Sequence, residues 1–214
     1  VEIVLTSVAD DLYEAWEKAC SDLPYVKLHR GSITDLECDA VVSPANSFGF
    51  MDGGIDMIYT KFFGWQVQER LQSLIRVLHH GELLVGDAEI VPTDSPKIPY
   101  LIAAPTMRVP MQINDTVNPY LAARAVFLLI KHGNFRLGPL TGQPIRDHIK
   151  RVAFPGLGTG VGRVPPIICA HQIRAAIIEV VLERNFFPES WLDAQDRHQW
   201  LCDLDYCKQQ YLAE

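Results

Sequence analysis

No apolar run in the 214-residue sequence approaches the roughly 18 residues that span a bilayer. The opening Val1-Glu2-Ile3-Val4-Leu5 is too short and too acidic for a secretory signal. The expectation is a cytoplasmic protein with no membrane partner. Cysteines are few. Cys20, Cys38, Cys169, Cys202 and Cys207 form an odd-numbered set with no C-x-x-C pair. A zinc site takes about four Cys or His ligands in paired spacings, so no metal and no resident cofactor is expected. The thiols are expected to be reduced, whether buried or at the surface. His79, His80, His132, His171 and His198 show no ligand spacing and no pairing with a nucleophile, and are expected to be surface or structural groups. Positive charge is also short, with 19 Lys and Arg against 26 Asp and Glu and a net charge of −7. That excludes general nucleic-acid binding, which depends on clustered cations. An anionic ligand would have to be held by local groups rather than by the field of the whole protein. There is no internal repeat and no low-complexity linker.

What is present is an ordinary globular composition, 48% apolar and 21% charged, sufficient to bury a full core without staples. A monomer is expected, with one domain over residues 1–187 and a helical extension over 188–214 packed on it. Strands are predicted at Ile3–Leu5, Val26–His29, Ala40–Val42, Asp87–Val91, Tyr100–Ala104 and Val152–Phe154. Helices are predicted between them. One is capped by Asp10 and runs through Leu12, Trp16 and Ala19. Another covers Gln66–Leu78 with Val67, Leu71, Leu74 and Leu78 on one face. A third covers Val117–Lys131 with Leu121, Ala125 and Leu128 in a stripe. A fourth, opened by Pro165 and Pro166, passes through Ile173, Ile177 and Val181. In the tail, Trp200, Leu204, Cys207 and Tyr211 fall on one helical face. Strands alternating with helices imply an α/β sandwich with a buried, mostly parallel sheet. Ligands of such folds bind at the carboxyl ends of the strands.

Two strand ends lead into unusual glycine-bearing loops. The first is Ser43-Pro44-Ala45-Asn46-Ser47-Phe48-Gly49-Phe50-Met51-Asp52-Gly53-Gly54-Ile55-Asp56. Its glycines allow close backbone approach to a ligand, and Gly53-Gly54 opens a helix whose N-terminus favours phosphate. Asn46 offers donors and an acceptor for a sugar hydroxyl, and Asp56 a carboxylate able to activate water. On its own this loop is equally a turn with a capping Asn and Asp. The second runs Pro155-Gly156-Leu157-Gly158-Thr159-Gly160-Val161-Gly162-Arg163-Val164-Pro165. Val161 and Arg163 stand where a dinucleotide fingerprint needs its third glycine, and the Lys-Ser/Thr ending of a P-loop is missing. A phosphate nest of backbone N–H groups is what remains.

Together these segments resemble the macrodomain family. Gly31-Ser32-Ile33-Thr34 is similar to its Gly-Asp-Ile-Thr. Asp39 through Asn46 is similar to Asp-Ala-Ile-Val-Asn-Ala-Ala-Asn, and Gly53-Gly54-Ile55-Asp56 to Gly-Gly-Val-Asp with no gap from Asn46. Phe154 to Pro165 is similar to Phe-Pro-x-x-Ser-Thr-Gly-Val-Tyr-Gly-x-Pro, and Gly81-Glu82 to Ala88 resembles the segment ahead of a middle strand. The resemblance covers about residues 25–185. It implies a three-layer α/β/α sandwich with a mixed, mostly parallel central sheet, and ADP-ribose or an ADP-ribosylated substrate as partner. It further implies a ligand site of Ser32, Ile33, Ala45, Asn46, Gly53, Gly54, Ile55, Gly158, Thr159, Gly160, Val161 and Gly162, with Asn46 and Asp56 as the catalytic pair. Departures are Ser32 for an adenine-binding Asp, Ser43 for the first Asn, Met51-Asp52 for two glycines, and Gly162-Arg163 for Tyr-Gly. Loss of that ring predicts an open cleft, and Arg163 is either a phosphate contact or a solvated side chain. Three functions follow: a hydrolase acting on ADP-ribosyl groups or O-acetyl-ADP-ribose, a reader that only binds, and an ADP-ribose 1″-phosphate phosphatase.

Overall fold

A computed structural model describes residues 1–212. Six strands form one sheet: β1 (Glu2–Ser7), β2 (Val26–Arg30), β3 (Ala40–Ser43), β4 (Glu89–Pro92), β5 (Tyr100–Ala103) and β6 (Arg151–Phe154). Their order is β2-β1-β6-β3-β5-β4. All neighbours pair in parallel except the edge pair β4–β5, which is antiparallel. The helices are α1 (Asp10–Cys20), α2 (Gly54–Phe63), α3 (Gln66–Leu78), α4 (Asn118–His132), α5 (Ile145–His148), α6 (Pro166–Ala176), α7 (Trp191–Cys202) and α8 (Leu204–Cys207).

Successive strand side chains point to opposite faces, and this sorts the core into two layers. Ile3, Leu5, Ala40, Val42, Ile102, Val152 and Phe154 join Leu12, Trp16, Val126, Phe127 and Ile167 under α1, α4 and α6. Val4, Val41, Leu101, Ala103 and Ala153 join Tyr59, Phe63, Val67, Leu71 and Ile75 under α2 and α3. The result is a three-layer α/β/α sandwich. Because both faces are covered, the central strands are continuously apolar rather than alternating, as parallel sheets require.

Several local expectations are corrected. Asp10 does not cap α1. Ala9 occupies that position, and Asp10 is the first helical residue, accepting from Arg30 Nη1 at 2.6 Å. Leu78 is 40% exposed, and Ile75 takes its place on the buried face of α3. The strand expected at Asp87–Val91 begins at Glu89 and runs through Pro92, which the sheet edge tolerates. In α4 the buried face is Ala122, Ala123, Val126, Phe127 and Ile130, while Leu121 and Leu128 are half-buried.

The tail is α7 and α8 with a break at Asp203, whose side chain caps α8 by accepting from Tyr206 N, followed by a π-helical turn over Lys208–Leu212. Leu201 and Cys207, rather than Trp200 and Tyr211, are its deepest residues. It is fastened to α6 through Gln172, whose Nε2 donates to Leu201 O at 3.1 Å and to Thr116 O at 2.9 Å. No disulfide forms among the described residues, and Cys20, Cys38, Cys169 and Cys207 are buried. Among the described residues, no helix is long and apolar enough to cross a membrane.

Candidate functional site

The segments that leave β1, β2, β3, β5 and β6 converge on one cleft with a volume of about 410 Å³. It brings together Ser32, Ile33, Ala45, Asn46, Gly53, Gly54, Ile55, Asp56, Gly158, Thr159, Gly160, Val161 and Gly162. It also takes in residues that the sequence reading missed. Thr6 and Ser7 end β1, Val8 and Ala9 follow it, and Thr106, Met107 and Pro110 follow β5. The β1 turn was accessible to the strand-end rule. The segment after β5, Ala104 to Pro110, contains no glycine, and its one charged residue, Arg108, is not part of the cleft wall.

Loop one, residues 44–53, is held from both sides. Met51 is fully buried, and its N–H donates to Gln68 Oε1 at 2.7 Å. It plugs the loop into the core beside α3, and leaves Asp52 exposed on the cleft wall. Gly49 has φ +68°, and a Cβ there would meet Ile75 Cδ1 at 2.9 Å, so only glycine fits. Asn46 lines the cleft, but its side chain is engaged locally. Oδ1 accepts from Phe48 N at 3.1 Å and Phe50 N at 3.3 Å, and Nδ2 donates to Phe50 O at 2.8 Å. At the start of α2, Gly53, Gly54, Ile55 and Asp56 have N–H groups with no acceptor among the described residues, as the first turn of a helix must.

Loop two, residues 155–165, folds back on itself, with Val164 N donating to Gly158 O at 3.0 Å and Arg163 N to Gly160 O at 3.1 Å. The N–H groups from Gly158 to Gly162 have no acceptor among the described residues. Two runs of unpaired donors therefore border one cleft, an arrangement suited to a diphosphate. Gly160 has open space where a Cβ would project. Gly162 does not: its Cβ would lie 2.5 Å from Gly158 O and 2.7 Å from Ile113 Cγ1. The buried Ile113, whose N–H donates to Gly162 O at 2.8 Å, packs against the place where the family pattern has its ring. Ile113 comes from a different segment and is not part of the cleft wall. Arg163 is exposed with φ +55° and is not part of the cleft wall. Ser32 caps the short turn Ile33–Asp35, accepting from Thr34 N at 3.3 Å.

The wall contains no Lys, Arg or His, and its charged residues are Asp52 and Asp56. Asp56 is 7% exposed. It sits in the first turn of α2, and its Oδ1 accepts from Ser43 Oγ at 2.6 Å across to the end of β3. Burial pushes the Asp56 carboxyl up to about 7, against the lowering effect of the Ser43 hydrogen bond. A carboxyl in this range exchanges protons near neutrality, as a general acid or base does.

A family model described as Macro domain matches residues 42–173. The chain belongs to the Macro domain family. The matched stretch of this macrodomain holds both loops, while β1, β2 and Ser32-Ile33 precede it. An uncharacterised protein of Aquifex aeolicus is 30% identical over 164 residues, 77% of this chain and 84% of that protein. An Oceanobacillus iheyensis macrodomain solved with ADP is 20% identical, with a TM-score of 0.56 over 80% of this chain and 88% of that one. A Trypanosoma brucei macrodomain in complex with ADP-ribose is 18% identical, with a TM-score of 0.50 over 71% of this chain and 56% of that one. At these identities the structural likenesses establish the fold.

Proposed function

We propose that this macrodomain binds ADP-ribose or a close derivative in the cleft and releases it from a modified substrate by hydrolysis. The substrate is an ADP-ribosylated acidic side chain or O-acetyl-ADP-ribose. The solved relatives that carry ADP and ADP-ribose support the ligand class. So do the unpaired N–H groups of Gly53–Asp56 and Gly158–Gly162, which would hold the two phosphates without any cation in the wall. The observation that carries the hydrolytic reading is the buried Asp56 carboxyl, raised to about 7 beside those donors. In this reading the Asp56 carboxylate takes a proton from water as the water oxygen attacks C1″ of the distal ribose, and the C1″–O bond breaks with its electron pair leaving on the side-chain carboxylate. With O-acetyl-ADP-ribose the water attacks the acetyl carbonyl carbon instead, and the departing ribose oxygen takes the proton back from Asp56. The loop donors stabilise charge already in place.

One observation favours a reader that binds without turnover. The Asn46 amide is spent on Phe48 and Phe50, so it is not free to orient a ribose in this conformation. A phosphatase on ADP-ribose 1″-phosphate finds no support, since a further phosphate would meet Asp52 and Asp56 and no cation.

The deciding experiment combines calorimetry with ADP-ribose and mass spectrometry of ADP-ribose release from a glutamate-modified protein. Asp56→Ala should lose about 100-fold or more in turnover yet keep its ADP-ribose affinity within about threefold, because a water-activating base acts mainly in the transition state. Asn46→Ala should lower both, since loop one loses its ties. No binding at millimolar ADP-ribose sinks the whole reading. Binding without turnover in the wild type makes the protein a reader, and turnover surviving Asp56→Ala assigns the base elsewhere.

A further inference from the structure

The β3 end reaches α2 through two side-chain hydrogen bonds. Ser43 Oγ donates to Asp56 Oδ1 at 2.6 Å, and Tyr59 Oη donates to Val42 O at 2.9 Å. Ser43 is fully buried and Asp56 nearly so. The second carboxyl oxygen, Oδ2, has no hydrogen-bond partner among the described residues, and it is not one of the sealed polar atoms left without one. It therefore keeps some accessible surface, in a residue that lines the cleft.

We propose that Ser43 is the positioning residue of this site: its hydroxyl pins one oxygen of the Asp56 carboxyl and leaves the other to exchange a proton with whatever occupies the cleft. Rotation of a carboxyl about its last bond is broad, so an unpinned Asp56 would present either oxygen, in changing orientations. Ser43 cannot itself drift, because it lies in β3, where its carbonyl accepts from Ala104 N at 3.0 Å.

The hydroxyl donor also favours the ionised form, opposing the burial that raises the group. The other side chains near Asp56 do not supply that help. Tyr59, on the same helix, gives its hydroxyl to Val42. The thiol of Cys38, ahead of β3, lies in the same buried cluster as Tyr59, and Asp52 on the same wall is acidic. Beside the N-terminus of α2, which also favours an anion, Ser43 is the side chain that donates to this carboxyl among the described residues.

The inference rests on the hydrolytic reading only in its kinetic arm. The primary test is a carbon-13 NMR titration of the Asp56 carboxyl in protein labelled at aspartate, with the resonance assigned from Asp56→Asn. Ser43→Ala should raise the titration midpoint by about one pH unit or more, and Ser43→Thr should restore it. Should Ser43→Ala be insoluble, Ser43→Cys, with nearly the same shape and a weaker donor, should shift the midpoint in the same direction by less. An unchanged midpoint in these variants overturns the proposal. In the kinetic arm, the acid limb of kcat/KM should move upward by the same interval in Ser43→Ala, while the high-pH plateau falls less than about tenfold. A fallen plateau with an unmoved limb would make Ser43 merely structural and also overturn it. A wild type without turnover would fail the hydrolytic reading alone, since the NMR titration decides the role of Ser43 by itself.

Discussion

At the residue scale, loop two shows how neighbouring glycines serve opposite ends. Around Gly160 a Cβ would meet nothing within 4 Å, and its backbone lies outside the left-handed region. A side chain there projects into the cleft. Gly160→Leu should therefore fold with stability changed by less than about 0.5 kcal/mol, as an uncrowded surface position allows, while ADP-ribose affinity falls at least about tenfold, ~1.4 kcal/mol. Around Gly162, Gly158 O and Ile113 would lie 2.5 and 2.7 Å from the same atom. Gly162→Ala should then cost about 1–3 kcal/mol of stability as overpacking against backbone. Urea unfolding and calorimetry of the two variants check both outcomes. If the effects were exchanged, Gly160 would be the structural glycine and loop two would not be the phosphate site.

At the element scale, α6 carries the tail on a buried histidine. His171 is fully buried, and its ring packs against Trp200 with centroids 4.1 Å apart. Nε2 lies 3.2 Å from Trp200 O and Nδ1 lies 3.0 Å from Tyr211 Oη. A carbonyl only accepts, so Nε2 carries the proton and Nδ1 accepts from the tyrosine, which is the neutral tautomer. Burial pushes His171 down to about 4. The unfolded chain thus binds the proton more readily than the folded one, and stability falls as pH drops from about 6.5 towards 4. At pH 4.5 this one group should cost roughly 2–3 kcal/mol. Urea unfolding followed by tryptophan fluorescence should show His171→Asn losing less stability than wild type between pH 7 and 4.5. Equal slopes would place the acid sensitivity in another group.

At the scale of the whole molecule, a net charge of −7 surrounds a cleft whose charged residues are both acidic. A cation-lined site loses affinity as salt screens its attraction. Here the long-range term is repulsive, so screening should help. Between 50 and 500 mM NaCl, ADP-ribose affinity should rise modestly, about two- to threefold, by calorimetry. A tenfold fall would require a cation at the ligand and would contradict a site built from backbone donors.

The sequence by itself determined the layers and pointed to the loops that line the cleft. Apolar strands separated by amphipathic helices leave few topologies open, because each face must be buried. Asn46, Asp56 and the alternating glycines from Gly156 to Gly162 could be located because special backbone chemistry is written in residue type and spacing. What the chain could not show in one dimension was who occupies whose space. Ile113 fills the room beside Gly162 from about fifty residues away. Met51, met as a replaced loop glycine, is a core plug. Asn46 spends its amide on its own loop. Ser43, noticed only as a departure from a pattern, meets Asp56 solely because β3 and the start of α2 are brought together in three dimensions. Such pairings depend on volume, burial and hydrogen-bond geometry between distant segments, and only the tertiary structure decides them.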